Sequence, residues 1–181
     1  MTEQNDARNP QDVALIPASF STEREARFAP EGRLWQAAPS AVRTAGGRVF
    51  ASYMADNETE EERPSNYLVC GYRDGESADF KLCFYAYHTE QVRISEPILF
   101  LSPEGWLYFF WTQNYIYFDG RGGIWCRVCK DPDAPVPVFD EPRRICHGCM
   151  ANPPLVLKDG RWLFPASVWT HMKSDYHPYP E

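Results

Sequence analysis

One phrase is written three times in this chain, and no reading of the fold can ignore it. AAPSAVRTAGGRVFASYMAD, SEPILFLSPEGWLYFFWTQ and NPPLVLKDGRWLFPASVWTH each run from a proline through a glycine into an apolar stretch. Pro39, Pro97 and Pro154 are 58 and 57 residues apart, and Gly47, Gly105 and Gly160 follow them by six or eight residues. Each copy reads as two strands around a tight turn. A strand-built repeat with a period of roughly 40–60 residues is the pattern of propeller blades.

The remaining strands fall between these hairpins. In the first unit, residues 41–43 and 48–53 pair across Gly46-Gly47, Tyr67–Arg73 is a third strand, and residues 80–87 are the fourth and outermost. In the second unit, residues 98–101 and 106–111 pair across Ser-Pro-Glu-Gly, where proline at the second turn position suits a type I turn. Gly123–Cys129 and residues 138–146 follow as its outer strands. The third unit has residues 155–157 and 162–166 across Asp159-Gly160, and the pattern stops after Trp169. Residues 106–111 are apolar at every position, as in a strand covered on both faces. Residues 28–37 read as a further strand after a Pro-Glu-Gly turn. Residues 1–27 read as a flexible lead with one apolar island at residues 13–16, and residues 28–181 as the partial propeller domain. The expected class is all-β: about two and a half four-stranded blades of an incomplete β-propeller. A ring needs at least four blades, so the chain reads as a fragment or as half of an assembly, with open strand edges available for self-association.

Composition narrows the function. Aromatic residues make up 15% and apolar residues 44% of the chain, which argues against disorder. A net charge of −7 gives no footprint for nucleic acid or an anionic membrane. No run approaches the roughly 20 apolar residues of a membrane-spanning helix, and the polar start lacks the apolar core of a signal peptide. The expectation is a cytoplasmic protein with no cofactor. No glycine-rich phosphate loop or nucleophile elbow is present.

The sequence resembles the sialidase (neuraminidase) superfamily, and within it the bacterial members with Asp-box-type repeats. The resemblance rests on APSAV…GGRVFASY, FWTQNYIYFDGRGGIW, FDEPRRI and NPPLVLKDGRWLFPASVW, and spans residues 34–169. It implies a six-bladed propeller that removes a terminal acidic sugar with retention of configuration. Ala37-Ala38-Pro39 stands where that family carries Arg-Ile-Pro, so the arginine that grips the substrate carboxylate is replaced. Only Arg73-Asp74-Gly75 and Lys130-Asp131-Pro132 sit at Asp-box positions.

In a propeller the mouth is lined by the starts of the inner strands and by the loops after the second strands. The strand starts offer Gln36, Glu96 and Asn152. The loops offer Asp56, Glu58, Arg63 and Asn66, then Gln113, Asp119 and Arg121, then Trp169 and His171. Carboxylates that move protons, amides and arginines that bind hydroxyls, and aromatic faces are what a sugar site needs. By position, the resemblance makes Asp56 the acid/base. The competing reading is that loop Asp and Asn side chains satisfy turn backbone, and that Arg121 pairs with Asp119. Three functions stay open: a glycoside hydrolase acting on terminal sugars of glycans, a non-catalytic carbohydrate-binding propeller, and a zinc-stabilised module.

The last of these rests on Cys126-x-x-Cys129 and Cys146-x-x-Cys149, whose separation of sixteen residues matches a zinc ribbon. Against it, residues three apart on a strand point to opposite faces, so Cys126 and Cys129 read as buried free thiols. His171 and His177 read as parts of a loop.

Overall fold

The structure is a computed structural model that describes residues 13–60, 63–77, 79–90, 92–115 and 122–167. It is all-β and its sheets are antiparallel. Strands β1 (Ser19–Ser21), β2 (Trp35–Arg43), β3 (Val49–Asp56), β4 (Tyr67–Arg73) and β5 (Lys81–Tyr87) form one sheet in the order β1-β5-β4-β3-β2. Strands β6 (Val92–Leu101), β7 (Leu107–Tyr115), β8 (Gly123–Cys129) and β9 (Arg143–Cys146) form a second sheet in chain order. Strands β10 (Leu155–Val156) and β11 (Trp162–Leu163) make a third, two-stranded piece. No helix among the described residues is long and apolar enough to cross a membrane.

The three hairpins close with one and the same turn. The amides of Gly47, Gly105 and Gly160 donate to the carbonyls of Thr44, Ser102 and Leu157 at 3.0, 2.9 and 3.0 Å. All three glycines have left-handed φ angles, 90°, 84° and 83°, which a side chain would oppose. The inner strands β2 and β6 also share a bulge, between Ala37 and Ser40 and between Ser95 and Ile98. Its extra residues, Ala38-Pro39 and Glu96-Pro97, again stand 58 positions apart. The repeat read from the letters is therefore a repeat of backbone geometry.

Alternation along the strands stacks the units. One face of β7 (Leu107, Phe109, Trp111) packs with Phe50, Met54 and Leu68 of the first sheet. Its other face (Tyr108, Phe110) packs with Met150, Trp162 and Phe164 of the third hairpin. A strand covered on both sides has no polar face to alternate with, which explains the continuous apolar run. Ser40 ties the inner strands together, its Oγ accepting the Leu99 amide at 2.9 Å. At the far end, Asp133 accepts from Thr44 Oγ1 and from the Gly46 amide, and Arg48 donates to Asp74 and to the Pro132 carbonyl. The 131–134 loop thus fastens the turn of the first hairpin to the second sheet, while Asp74 holds Arg48 from within the first.

Several boundaries differ from the sequence reading. Residues 28–37 are not one strand. Ala26–Phe28 and Pro30–Gly32 are 3-10 turns, and β2 begins only at Trp35. Phe28 turns inward and stacks on Tyr85 with ring centroids 4.3 Å apart. The second half of the expected flexible lead is built into the fold: Ala14 and Ala18 are buried, and β1 adds a fifth strand beside β5. The strand expected over residues 138–146 shrinks to Arg143–Cys146, because Val136 and Val138 sit in an exposed, proline-broken approach.

Candidate functional site

The two bulges create the site. A bulge re-aims the strand at the point where it occurs, and here both open onto a single depression of about 180 Å³. Its walls are residues 38–40 of β2, residues 96–98 of β6, and Ala151 and Pro153 just before β10. Equivalent strand starts from all three repeats therefore meet at one place. Ala38 and Glu96 hold φ angles of 48° and 51°, a region that costs a non-glycine residue about 1–2 kcal/mol. Glu96 is half-buried and is the one carboxylate among the lining residues. Asn152, exposed between Ala151 and Pro153, flanks the same opening. Gln36 is exposed on β2 opposite Ala55, before the bulge.

The loop after β3 is a closed hydrogen-bonded unit. Asp56 is 0% exposed. Its Oδ1 accepts the amides of Glu58 and Thr59 at 2.6 and 3.3 Å, and its Oδ2 accepts Ser65 Oγ and Asn66 Nδ2 at 2.6 and 2.9 Å. Asn66, also fully buried, accepts the Arg63 amide on Oδ1 at 3.0 Å. Glu58 and Arg63 present exposed side chains from this loop. A carboxylate with four donors and no solvent contact clamps the loop, as the turn-satisfying reading of the sequence holds.

Gln113 is likewise engaged. It is fully buried, its Oε1 accepts the Ala18 amide and Trp111 Nε1 at 3.0 Å each, and its Nε2 donates to the carbonyls of Ala14 and Ile16. It lies on the β7 face turned toward the first sheet, and it anchors the chain before β1 instead of lining a mouth. Asp119, Arg121, Trp169 and His171 lie outside the described residues.

The other face of the same strand end carries polar residues that the sequence reading passed over. Arg93, Ser95, Thr112 and Asn114 are all 0% exposed. Arg93 pairs with Asn114 and Ser95 with Thr112 across β6 and β7, so the four share one side of the sheet. Thr112 Oγ1 accepts the Met150 amide at 3.3 Å, and Asn114 Oδ1 accepts the Cys149 thiol at 3.6 Å. Ser95 Oγ and Asn114 Nδ2 have no hydrogen-bond partner among the described residues. Buried polar atoms in that state are ones that an ordered water or a ligand satisfies. The repeat itself contained the signal, since 58 positions beyond Asp56 lies Asn114 and not Gln113.

The cysteines do not assemble a zinc ribbon. Cys126 packs with Ile124 and Val128 on one face of β8, whereas Cys129 belongs to the core on the opposite face. Burial pushes the Cys126 thiol up to about 11 and raises those of Cys129 and Cys146 as well, as in cysteines packed among apolar side chains. Among the described residues, no cluster of three or more His, Cys, Asp or Glu side chains could hold a metal ion. The chain matches no protein-family model and no curated protein.

Proposed function

We propose that this chain carries the sugar-binding mouth of a sialidase-like propeller, centred on Glu96. The observation that supports the reading is the convergence of three repeat-equivalent, proline-bearing strand starts on one depression. In a ring of blades, equivalent strand starts meet at the central axis, and small ligands bind there. Glu96 accepts hydrogen bonds from the hydroxyls of a terminal sugar, with Asn152 and the Glu58–Arg63 loop at the rim. Ser95 and Asn114 supply buried polar atoms next to the same strand start. In the hydrolase reading Glu96 is the carboxylate placed to handle a proton.

One observation favours binding without cleavage. Glycoside hydrolysis ordinarily uses two carboxylates, about 5–10 Å apart, with one of them shuttling a proton. Asp56, the expected acid/base, holds four hydrogen bonds inside a closed loop. A titration of acidic and neutral monosaccharides, run beside release of a coloured phenol from aryl glycosides, separates the readings. Saturable binding that Glu96→Gln weakens at least tenfold, with no phenol released, is the expected result. Turnover abolished by Glu96→Gln selects the hydrolase, and failure of every sugar to bind overturns both.

A further inference from the structure

The outer face of the third hairpin has the pattern of an interface without its partner. Leu155 and Leu163 face each other across β10 and β11 and are 60% and 56% exposed. Counted from the shared turns, they occupy the places of Phe100 and Tyr108 in the second unit and of Val42 and Phe50 in the first. In both earlier units that face is covered by the hairpin of the next one. Phe50 is fully buried in the core with Leu99, Leu107 and Phe109 of β6 and β7. Phe100 and Tyr108 meet Trp162 of β11 at 5.0 and 4.9 Å between ring centroids. Only in the third unit does no described residue cover the equivalent pair.

The complementary face is also present on the molecule. The residues with which each later unit covers its predecessor are Leu107 and Phe109, then Trp162 and Phe164. Their equivalents in the first unit are Val49 and Ala51, on the outer side of β3. Val49 and Ala51 are half-exposed and small, beside the exposed Arg43. One end of the stack thus carries an apolar pair that no described residue covers, and the other end carries the kind of face that covers it.

We propose that the occupant of the Leu155–Leu163 face is a second copy of this chain, which presents the outer face of β3. The pairing is head to tail, and it continues the interface already made twice inside the chain. Used reciprocally by two copies it closes around a two-fold axis, so that each copy has one head and one tail contact. The proposal rests on the stacking of the units and does not need the sugar site.

Light scattering on the eluted protein across a wide concentration range tests it. The expected mass is about twice 20.9 kDa. Leu163→Asp and Val49→Asp should each shift the protein to the single-chain mass, because each spoils one partner of both contacts. An equimolar mixture of the two variants retains one undamaged contact, between the β3 face of the Leu163→Asp copy and the Leu155–Leu163 face of the Val49→Asp copy. That mixture should recover the double mass in part. Circular dichroism matching the wild type shows that each variant folds. A single-chain mass for the wild type at every concentration overturns the proposal. So does a dimer indifferent to Val49→Asp, which would mean that two Leu155–Leu163 faces meet each other, and so does an open ladder of larger masses.

Discussion

Ala38 and Glu96 hold the same left-handed backbone conformation, φ 48° and 51°, each just before a proline and each in the bulge of an inner strand. The first is a side chain without chemistry and the second is a carboxylate at the depression. Because both copies take the conformation, the bulge belongs to the repeat, and Glu96 exploits a geometry that the fold already supplies.

This makes Ala38→Gly a stabilising change. A left-handed residue with a Cβ costs about 1–2 kcal/mol, and the extra freedom of glycine in the unfolded chain takes back about 0.5–1 kcal/mol. Urea denaturation should show a gain of about 0.5–1 kcal/mol. A loss of stability would show that the bulge is not strained at this position.

Gln113 joins the chain before β1 to the second sheet. Gln113→Leu leaves the Ala18 amide, Trp111 Nε1 and two carbonyls without their side-chain partner in a buried place. Each unsatisfied buried group costs about 1–3 kcal/mol, and partial exposure of the released segment lowers the total. A loss of roughly 2–4 kcal/mol is expected from these terms. Hydrogen exchange should show the Ala18 amide losing protection before the β7 amides do. Uniform loss across both sheets would contradict a local anchor.

Asp56→Asn separates a clamp from a catalyst. The substitution puts an NH2 group against Asn66 Nδ2, donor facing donor, at a site with no solvent. Stability should fall by about 1–3 kcal/mol. Any turnover by the folded protein should stay within a few-fold of wild type. The opposite pattern, intact stability with turnover lost, restores the acid/base role that sequence position suggested.

The fold was more legible than the site. Strands β4 and β8 have the boundaries read from the letters, because Tyr67–Arg73 and Gly123–Cys129 are short, mostly apolar segments rich in β-branched and aromatic residues. Residues 19–21 were not legible as a strand. SFS has no periodicity of its own, and it pairs only because β5 offers an edge. The bulges were hidden for the same kind of reason, since a proline after the left-handed residue reads as a strand boundary. At the site, neighbours on a strand face opposite sides of the sheet. Choosing Gln113, the residue just past the apolar run, over Asn114, the repeat partner of Asp56, is therefore an error of one position. It picked a buried anchor instead of the polar face beside the third unit.

His88 ties the same N-terminal segment to the first sheet through its charge state. Its Nδ1 accepts the Glu90 amide at 3.1 Å, which leaves Nε2–H to donate to the Ile16 carbonyl at 3.1 Å. The ring is therefore neutral, and burial holds its pKa below the ordinary histidine value, against the smaller opposite pull of the Ile16 carbonyl and Glu90. The unfolded chain keeps the ordinary value of about 6.5. Between that value and the lowered one the unfolded state binds more protons, so stability falls as the pH drops through this window and is flat above it. Protonation of Nδ1 also removes the acceptor of the Glu90 amide. Urea midpoints should be constant from pH 8 to 7 and decline from about pH 6.5 downward. The Ile16 and Ala18 amides should exchange faster over the same range. His88→Gln should flatten that part of the profile, and an unchanged slope in the variant would assign the acid sensitivity to a different group.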